Sequence, residues 1–446
     1  VNLDCCIIGG GIVGLSIARE LAGRGRRVRV LAREGRRDTA SWAAAGIFPP
    51  APEPVPGFDH PNAVLTAYSD RLHREWAEEL RAETGIDNEL QACGGLHLAA
   101  NETRLGALEA TATSWRSRGT RCEWLRASDI ARLEPALAGA VSAGRLVGGF
   151  LLPDEVRIRP PRHLEALERS CTARGVTLSH ECLVTKIAVA GGQVSGLGVQ
   201  SPAGPETIVA DWYVLAAGAW SGLLAEPLGL AIETRPIRGQ IALVRLPRQV
   251  LSRVVNRGLE YLVPREDGRI LAGSTLEDAG FDRSTVPADI DRLLAFATDL
   301  LGDLSDASVE TTWAGLRPGS TDGLPSIGPT PACSNALLAA GHFRAGLHQS
   351  TGTAVIIADL VEGRQPPLDI APFAPNRPPA PPGPDSVAVY LARAAAESGH
   401  ARDRHADPSA SQAVRPQSEA FGGGLRADIR PREVRADGGS PRRRQQ

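Results

Sequence analysis

Leu3-Asp4-Cys5-Cys6-Ile7-Ile8-Gly9-Gly10-Gly11-Ile12-Val13-Gly14 is an apolar run that passes directly into G-x-G-x-x-G. In such a loop Gly9 permits the tight turn, Gly11 lets the backbone approach a pyrophosphate, and Gly14 lets the next helix pack on the strand while its N–H groups face the phosphates. Leu15, Ala18, Leu21 and Ala22 follow at helical spacing, Gly23 and Gly25 end the helix, and Val28-Arg29-Val30-Leu31 begins a second strand. The order predicts an α/β fold with a Rossmann-like unit in which Gly9, Gly11, Ile12, Val13 and Gly14 hold a dinucleotide. An acidic residue normally ends the second strand and binds the ribose, but that position is Ala32. Either Glu34 reaches back from the loop, or water and backbone hold the ribose. Arg33 alone points to a 2′-phosphate; the rest of the chain points to a different cofactor.

Outward from this unit, 446 residues suffice for two substantial cores. The net charge of −2 gives no overall field for nucleic acid or an anionic membrane. Lys186 is the only lysine among 49 basic residues, a bias attributed to coding rather than chemistry. Seven scattered cysteines without a C-x-x-C pair argue against a disulfide framework or a zinc site, so reduced thiols and a cytoplasmic location are expected. No apolar run reaches the ~18 residues of a membrane span.

Leu65, Leu72, Trp76 and Leu80 mark a helix, Gly94 to Leu98 a strand, 102–118 a helix, Ser128 the opening of a short helix, and Pro160 the start of another running to about Arg174. Leu183 to Ala190 and Val194 to Val199 read as a meander, Trp212 to Ser221 and Ala336 to Gly341 as buried strands, and about 237–275 as a strand cluster. A helix is expected over 287–301, a strand over 309–314, a turn over 315–319 and a helix from Gly352. Strands of the dinucleotide unit are expected again near 183, 213 and 337, which makes that unit discontinuous: 1–85, 156–225 and 326–372. An inserted, mostly antiparallel β-sheet substrate domain takes 86–155 and 226–325. Residues 373–446, rich in Pro and Arg, are expected to be a disordered tail with at most a short helix at 385–397.

With these pieces in place the chain resembles the D-amino acid oxidase superfamily of flavoproteins, and within it the glycine oxidases of the thiamin pathway. The resemblance covers about residues 3–372. It is carried by Ile7 to Gly14, Ala40-Ser41-Trp42-Ala43-Ala44-Ala45-Gly46-Ile47, Pro236-Ile237-Arg238-Gly239-Gln240, Tyr261 to Arg265, Trp313 to Gly319 and Ala340 to Gly346. It implies noncovalent FAD, since no cysteine stands near Arg317 or Gly328 to tether a flavin. Ser41, Ala44, Ala45, Gly46, Ala217, Gly218, Trp220 and Gly239 are implied beside the cofactor, Val184 at the adenine, and Gly346 with the turn into Thr353 at the flavin O2 region. Leu347-His348-Gln349-Ser350-Thr351 departs from the apolar, proline-containing segment usual in the family.

The matching arginine of the family clamps a substrate carboxylate; here it is Arg317, with Tyr261 donating to the same carboxylate and Arg344 as a second cation at the pocket. The implied reaction is oxidative deamination of glycine or another small amino acid: hydride leaves Cα for flavin N5, an imine forms, and O2 is reduced to H2O2. The imine is the product a thiamin pathway uses, with thiazole synthase as the partner implied and a homo-oligomer expected. Two other readings stay open: a D-amino acid or N-methyl amino acid dehydrogenase with another electron acceptor, and a flavin-binding protein with little turnover.

Overall fold

A computed structural model describes residues 3–54 and 60–397. The quoted stretch forms strand Leu3–Ile8 and helix Ile12–Gly23, and Val28–Leu31 is the next strand. Leu3–Ile8 lies inside a six-stranded sheet ordered Ser326–Pro329, Ala336–Ala340, Ala210–Leu215, Leu3–Ile8, Val28–Leu31, Thr177–Ser179. Its neighbours are parallel except the first pair. A strand covered on both faces must be apolar at every position. Cys5 and Ile7 accordingly join a core with helices Ile12–Gly23, Pro61–Thr84, Pro160–Ala173 and Ser350–Val361, while Cys6 and Ile8 join another on the opposite face.

That opposite face is covered by a three-stranded antiparallel sheet, Leu183–Ala190, Gln193–Ser201 and Gly204–Ile208. This corrects the expectation that a strand near 183 joins the dinucleotide sheet, whose place there is taken by Thr177–Ser179. Thr185 and Lys186 break the apolar run that a doubly covered strand needs, and Gly191 and Gly192, with φ of +57° and +72°, turn the chain into a hairpin instead.

The second large sheet has eight strands, ordered Ser308–Gly319, Arg235–Arg245, Arg269–Gly273, Glu260–Pro264, Val254–Arg257, Gly95–Ala99, Gly148–Leu152, Glu123–Arg126. Only Val254–Arg257 and Gly95–Ala99 pair in parallel. Helix Pro287–Leu301 packs Leu293, Phe296 and Leu300 against it.

Two further expectations change. Residues 315–319 are not a turn: strand Ser308–Gly319 runs through them, with Arg317 opposite Ile237 and Pro318 opposite Pro236. The strand is at the sheet edge, where a proline costs no ladder bond and glycine is tolerated. Residues 373–397, expected as disordered tail apart from a short helix at 385–397, instead pack on the body, and the helix forms as Val387–Glu397. Arg377 forks onto Asp322 at 2.7 and 3.0 Å, and Ser386 and Val387 are buried. The stretch 398–446 lies outside the described residues.

Candidate active site

The sequence places small residues wherever two segments meet around one cavity of about 430 Å³. Gly9, at φ +127°, abuts the carbonyl of Ala216: an added Cβ would stand 2.2 Å from that oxygen. At Gly14 it would stand 1.9 Å from the Gly9 carbonyl, so Gly14 closes the helix onto the loop but does not line the cavity. Gly9, Gly11, Ile12 and Val13 do line it. Gly11 caps the helix without a side-chain bond, and the Ile12 N–H donates to Ser41 Oγ at 2.9 Å. The first-turn amides have no intrahelical acceptor, which suits an anion.

Ala32 and Glu34 also face this cavity, with Val184. Glu34 is held by Arg33 at 2.6 Å and by Arg283. The Arg33 guanidinium in turn lies 4.1 Å from the centre of the Trp220 ring, and Trp220, Ala217 and Gly218 are part of the wall. Arg33 was legible in the sequence, whereas Arg283 had no signal; it arrives from the loop between strand Arg269–Gly273 and helix Pro287–Leu301.

Ala44, Ala45 and Gly46 line the cavity, and their segment is pinned by hydrogen bonds to its carbonyls. Trp313 Nε1 donates to the Ala43 carbonyl at 3.1 Å, and Arg265 donates to the carbonyls of Ala45 and Ile158 at 3.1 and 2.9 Å. Burial lowers the Arg265 guanidinium to about 10. Gly315 meets Ala43 so closely that an added Cβ would be 2.6 Å from the alanine methyl.

The inserted sheet contributes Gly239, Tyr261 and Arg317 to the same cavity. Arg317 donates to Ser274 Oγ at 2.7 Å and to the Thr275 carbonyl at 3.2 Å, both neutral acceptors. Burial draws its guanidinium below the usual value, Tyr261 opposes this, and the charge of Arg344 adds to it. Room for the two side chains comes from glycine: a Cβ on Gly239 would be 2.2 Å from Arg317 Nη1, and one on Gly273 would be 2.7 Å from the Tyr261 ring. The neighbouring Arg238, by contrast, is neutralised by Glu277 and Asp282. Arg317 is thus a charge held in place by dipoles, and among the described residues it makes no ion pair.

Arg344 and Gly346 line the cavity from the loop after Ala336–Ala340. Thr353 does not: its N–H donates to the Gln349 carbonyl at 3.0 Å within the helix, and its hydroxyl meets His342 Nε2 at 3.0 Å. Burial lowers His342 to about 4, leaving it neutral. The unusual 347–351 segment finds its partners on helix Pro61–Thr84. His348 contacts Asp70 at 3.1 Å and stacks on Phe48, Gln349 donates to Thr66 Oγ1 at 3.0 Å, and Thr351 donates to the Ser69 carbonyl at 2.9 Å. Polar replacements are matched by polar acceptors, which sequence inspection of that segment alone could not reveal.

Phosphate-ready amides, small walls and an arginine without an anion fit a bound FAD together with a carboxylate substrate. Residues 4–360 match the family described as FAD dependent oxidoreductase (DAO). Glycine oxidase of Pseudomonas putida is 34% identical over 373 residues, 83% of this chain and 97% of that protein. A bifunctional protein ThiO/ThiG of Trichormus variabilis is 34% identical over 379 residues, covering 82% of this chain and 54% of that protein. Among solved structures, glycine oxidase from Geobacillus kaustophilus superposes with a TM-score of 0.77 at 32% identity, over 85% of this chain and all of that one. The chain belongs to the FAD-dependent oxidoreductase family.

Proposed function

We propose that the protein oxidises glycine or another small amino acid, with FAD held noncovalently and O2 as acceptor. Bound FAD supplies the two-electron acceptor. The observation that carries the reading is Arg317: a guanidinium facing the cavity, fixed by the neutral acceptors Ser274 and Thr275 rather than by a carboxylate. Its planar donors match a carboxylate two at a time. Tyr261 stands beside it to donate a further hydrogen bond, and Arg344 supplies a second positive charge. With the carboxylate fixed, a small amino acid has few remaining orientations, so positioning of Cα is the main catalytic contribution of the chain. The neutral His342 adds no charge, and the small apolar walls favour the neutral amine.

The relatives named glycine oxidase and bifunctional protein ThiO/ThiG support glycine as substrate and its imine as a precursor for thiamin thiazole synthesis, with thiazole synthase as the enzyme receiving it. The test is anaerobic reduction of the purified yellow protein by glycine, sarcosine and D-alanine. Bleaching by glycine, with glyoxylate and peroxide formed in air, is expected. No bleaching by any of the three removes the reading. Acid precipitation should release FAD into the supernatant; flavin retained in the pellet overturns the noncovalent assignment.

A further inference from the structure

Helix Val387–Glu397 lies beyond the residues 4–360 that define the family, yet it is built into the wall that carries the substrate-facing arginines. Val387 is buried with Ile237 and Phe343, and it reaches so close to Gly319 that a Cβ there would stand 2.1 Å from its Cγ2. Ile237 is the residue paired with Arg317, and Phe343 precedes Arg344. Phe343 holds a left-handed backbone, φ +47°, a conformation a bulky side chain keeps only when its surroundings impose it. Its N–H donates to the Pro318 carbonyl at 2.9 Å, and its ring meets Tyr390 edge-on at 5.5 Å between centroids.

The same Tyr390 ring lies under the Arg344 guanidinium, 4.7 Å from ring centroid to Cζ. Among the described residues Arg344 makes no hydrogen bond or ion pair, so this π face is what fixes the direction of a long side chain that lines the cavity. We propose that Tyr390 is a positioning residue: it holds Arg344 toward the substrate carboxylate and makes the helix Val387–Glu397 a working part of the substrate site. The proposal rests on the reading of Arg344 as a cation that faces the substrate.

The segment before the helix explains why it stays in place. Arg377 forks onto Asp322 and donates to the Leu324 carbonyl at 2.9 Å, and the Asn62 amide donates to both the Gly323 carbonyl and Asp385. Gly323, at φ +85°, receives the chain at Asp385 with no room for a side chain. The strap is anchored on both sides of the loop that follows strand Ser308–Gly319.

Acetate, a carboxylate without an amine, is the probe, titrated into the FAD-loaded full-length protein by its perturbation of the flavin spectrum. Tyr390→Leu keeps an apolar contact for Phe343 and removes the π face. It is expected to raise the acetate Kd and the glycine KM about five- to tenfold while kcat stays within about twofold. Tyr390→Phe keeps the face and is expected to match the wild type. Tyr390→Gln repeats the test if the leucine variant loses its flavin. Unchanged acetate affinity in Tyr390→Leu, while Arg344→Ala weakens it, overturns the role of Tyr390; so does an equal loss in Tyr390→Phe, or a lowered melting temperature with unchanged Kd. Unchanged acetate affinity in Arg344→Ala overturns instead the reading of Arg344.

Discussion

On the proposed reading, Arg317→Ala leaves the substrate carboxylate without its main partner. Apparent substrate binding should weaken by roughly 2–5 kcal/mol, with Arg317→Lys intermediate and FAD content unchanged, as read from anaerobic flavin reduction against glycine concentration. Gly239→Ala tests the same geometry from behind, because its methyl would stand only 2.2 Å from Arg317 Nη1. A displacement of about 1 Å is enough to cost on the order of 100-fold in kcat/KM, again with FAD retained. Glu34, which lines the cavity near Ala32, is already engaged by two arginines. Ala32→Glu should therefore tighten FAD by about 1–2 kcal/mol, seen in the dissociation constant of reconstituted apoprotein. The glycine loop was legible from its motif and Arg317 and Tyr261 were named through the family resemblance; the structure brings them to one cavity. Gly14 was read as packing the helix as well as holding the cofactor, and its approach to the Gly9 carbonyl carries the packing; Thr353, named through the resemblance, lies off the cavity with His342 as its partner.

At the level of elements, strands and helices with strong apolar periodicity were legible from spacing. What spacing could not supply was partnership. Gly315, Pro318 and Gly319 have the composition of a turn, and only the edge position of the strand and the close approach of Ala43 and Val387 explain their presence in it. Residues 373–384 look too rich in proline to fold onto anything, yet the apolar side chains of the expected short helix that follows meet a hydrophobic patch left open by Ile237 and Phe343. A chain ending at Phe373 loses the buried Val387 and leaves Asp322 without Arg377. It should be less stable than one ending at Glu397 by roughly 3–5 kcal/mol, measured by urea denaturation.

Across the described molecule, His73, His163 and His342, three of the four buried histidines, are expected to set the response to acid. Burial lowers His163 to about 3 and His342 to about 4, and it takes His73 well below its ordinary value, with the nearby His163 and His348 adding to the effect. Their folded pKa values lie below the unfolded value of about 6.5, so between about pH 6.5 and 4 the unfolded chain binds more protons. Stability is complete above about pH 6.5 and falls as the pH drops, by up to about 1.4 kcal/mol per pH unit for each histidine. Asp70 acts in the same direction: burial opposes ionisation, but His348 and Arg74 hold its carboxyl below the ordinary range. The urea midpoint should decline steeply from pH 6.5 to 4.5, and His342→Asn should make the decline shallower. A midpoint independent of pH over that range contradicts burial of neutral imidazoles.

The strand that begins the described chain is also an inner strand of the parallel sheet, between Val28–Leu31 and Ala210–Leu215. During synthesis the first neighbour emerges almost at once, whereas the second is about 200 residues away. At roughly 5–20 residues per second the open edge of Leu3–Ile8 waits about 10–40 s for its partner. An apolar strand edge left open that long is a surface for wrong pairings, so the nascent chain has its greatest need of chaperones, and its greatest sensitivity to slowed translation, before residue 215 leaves the ribosome.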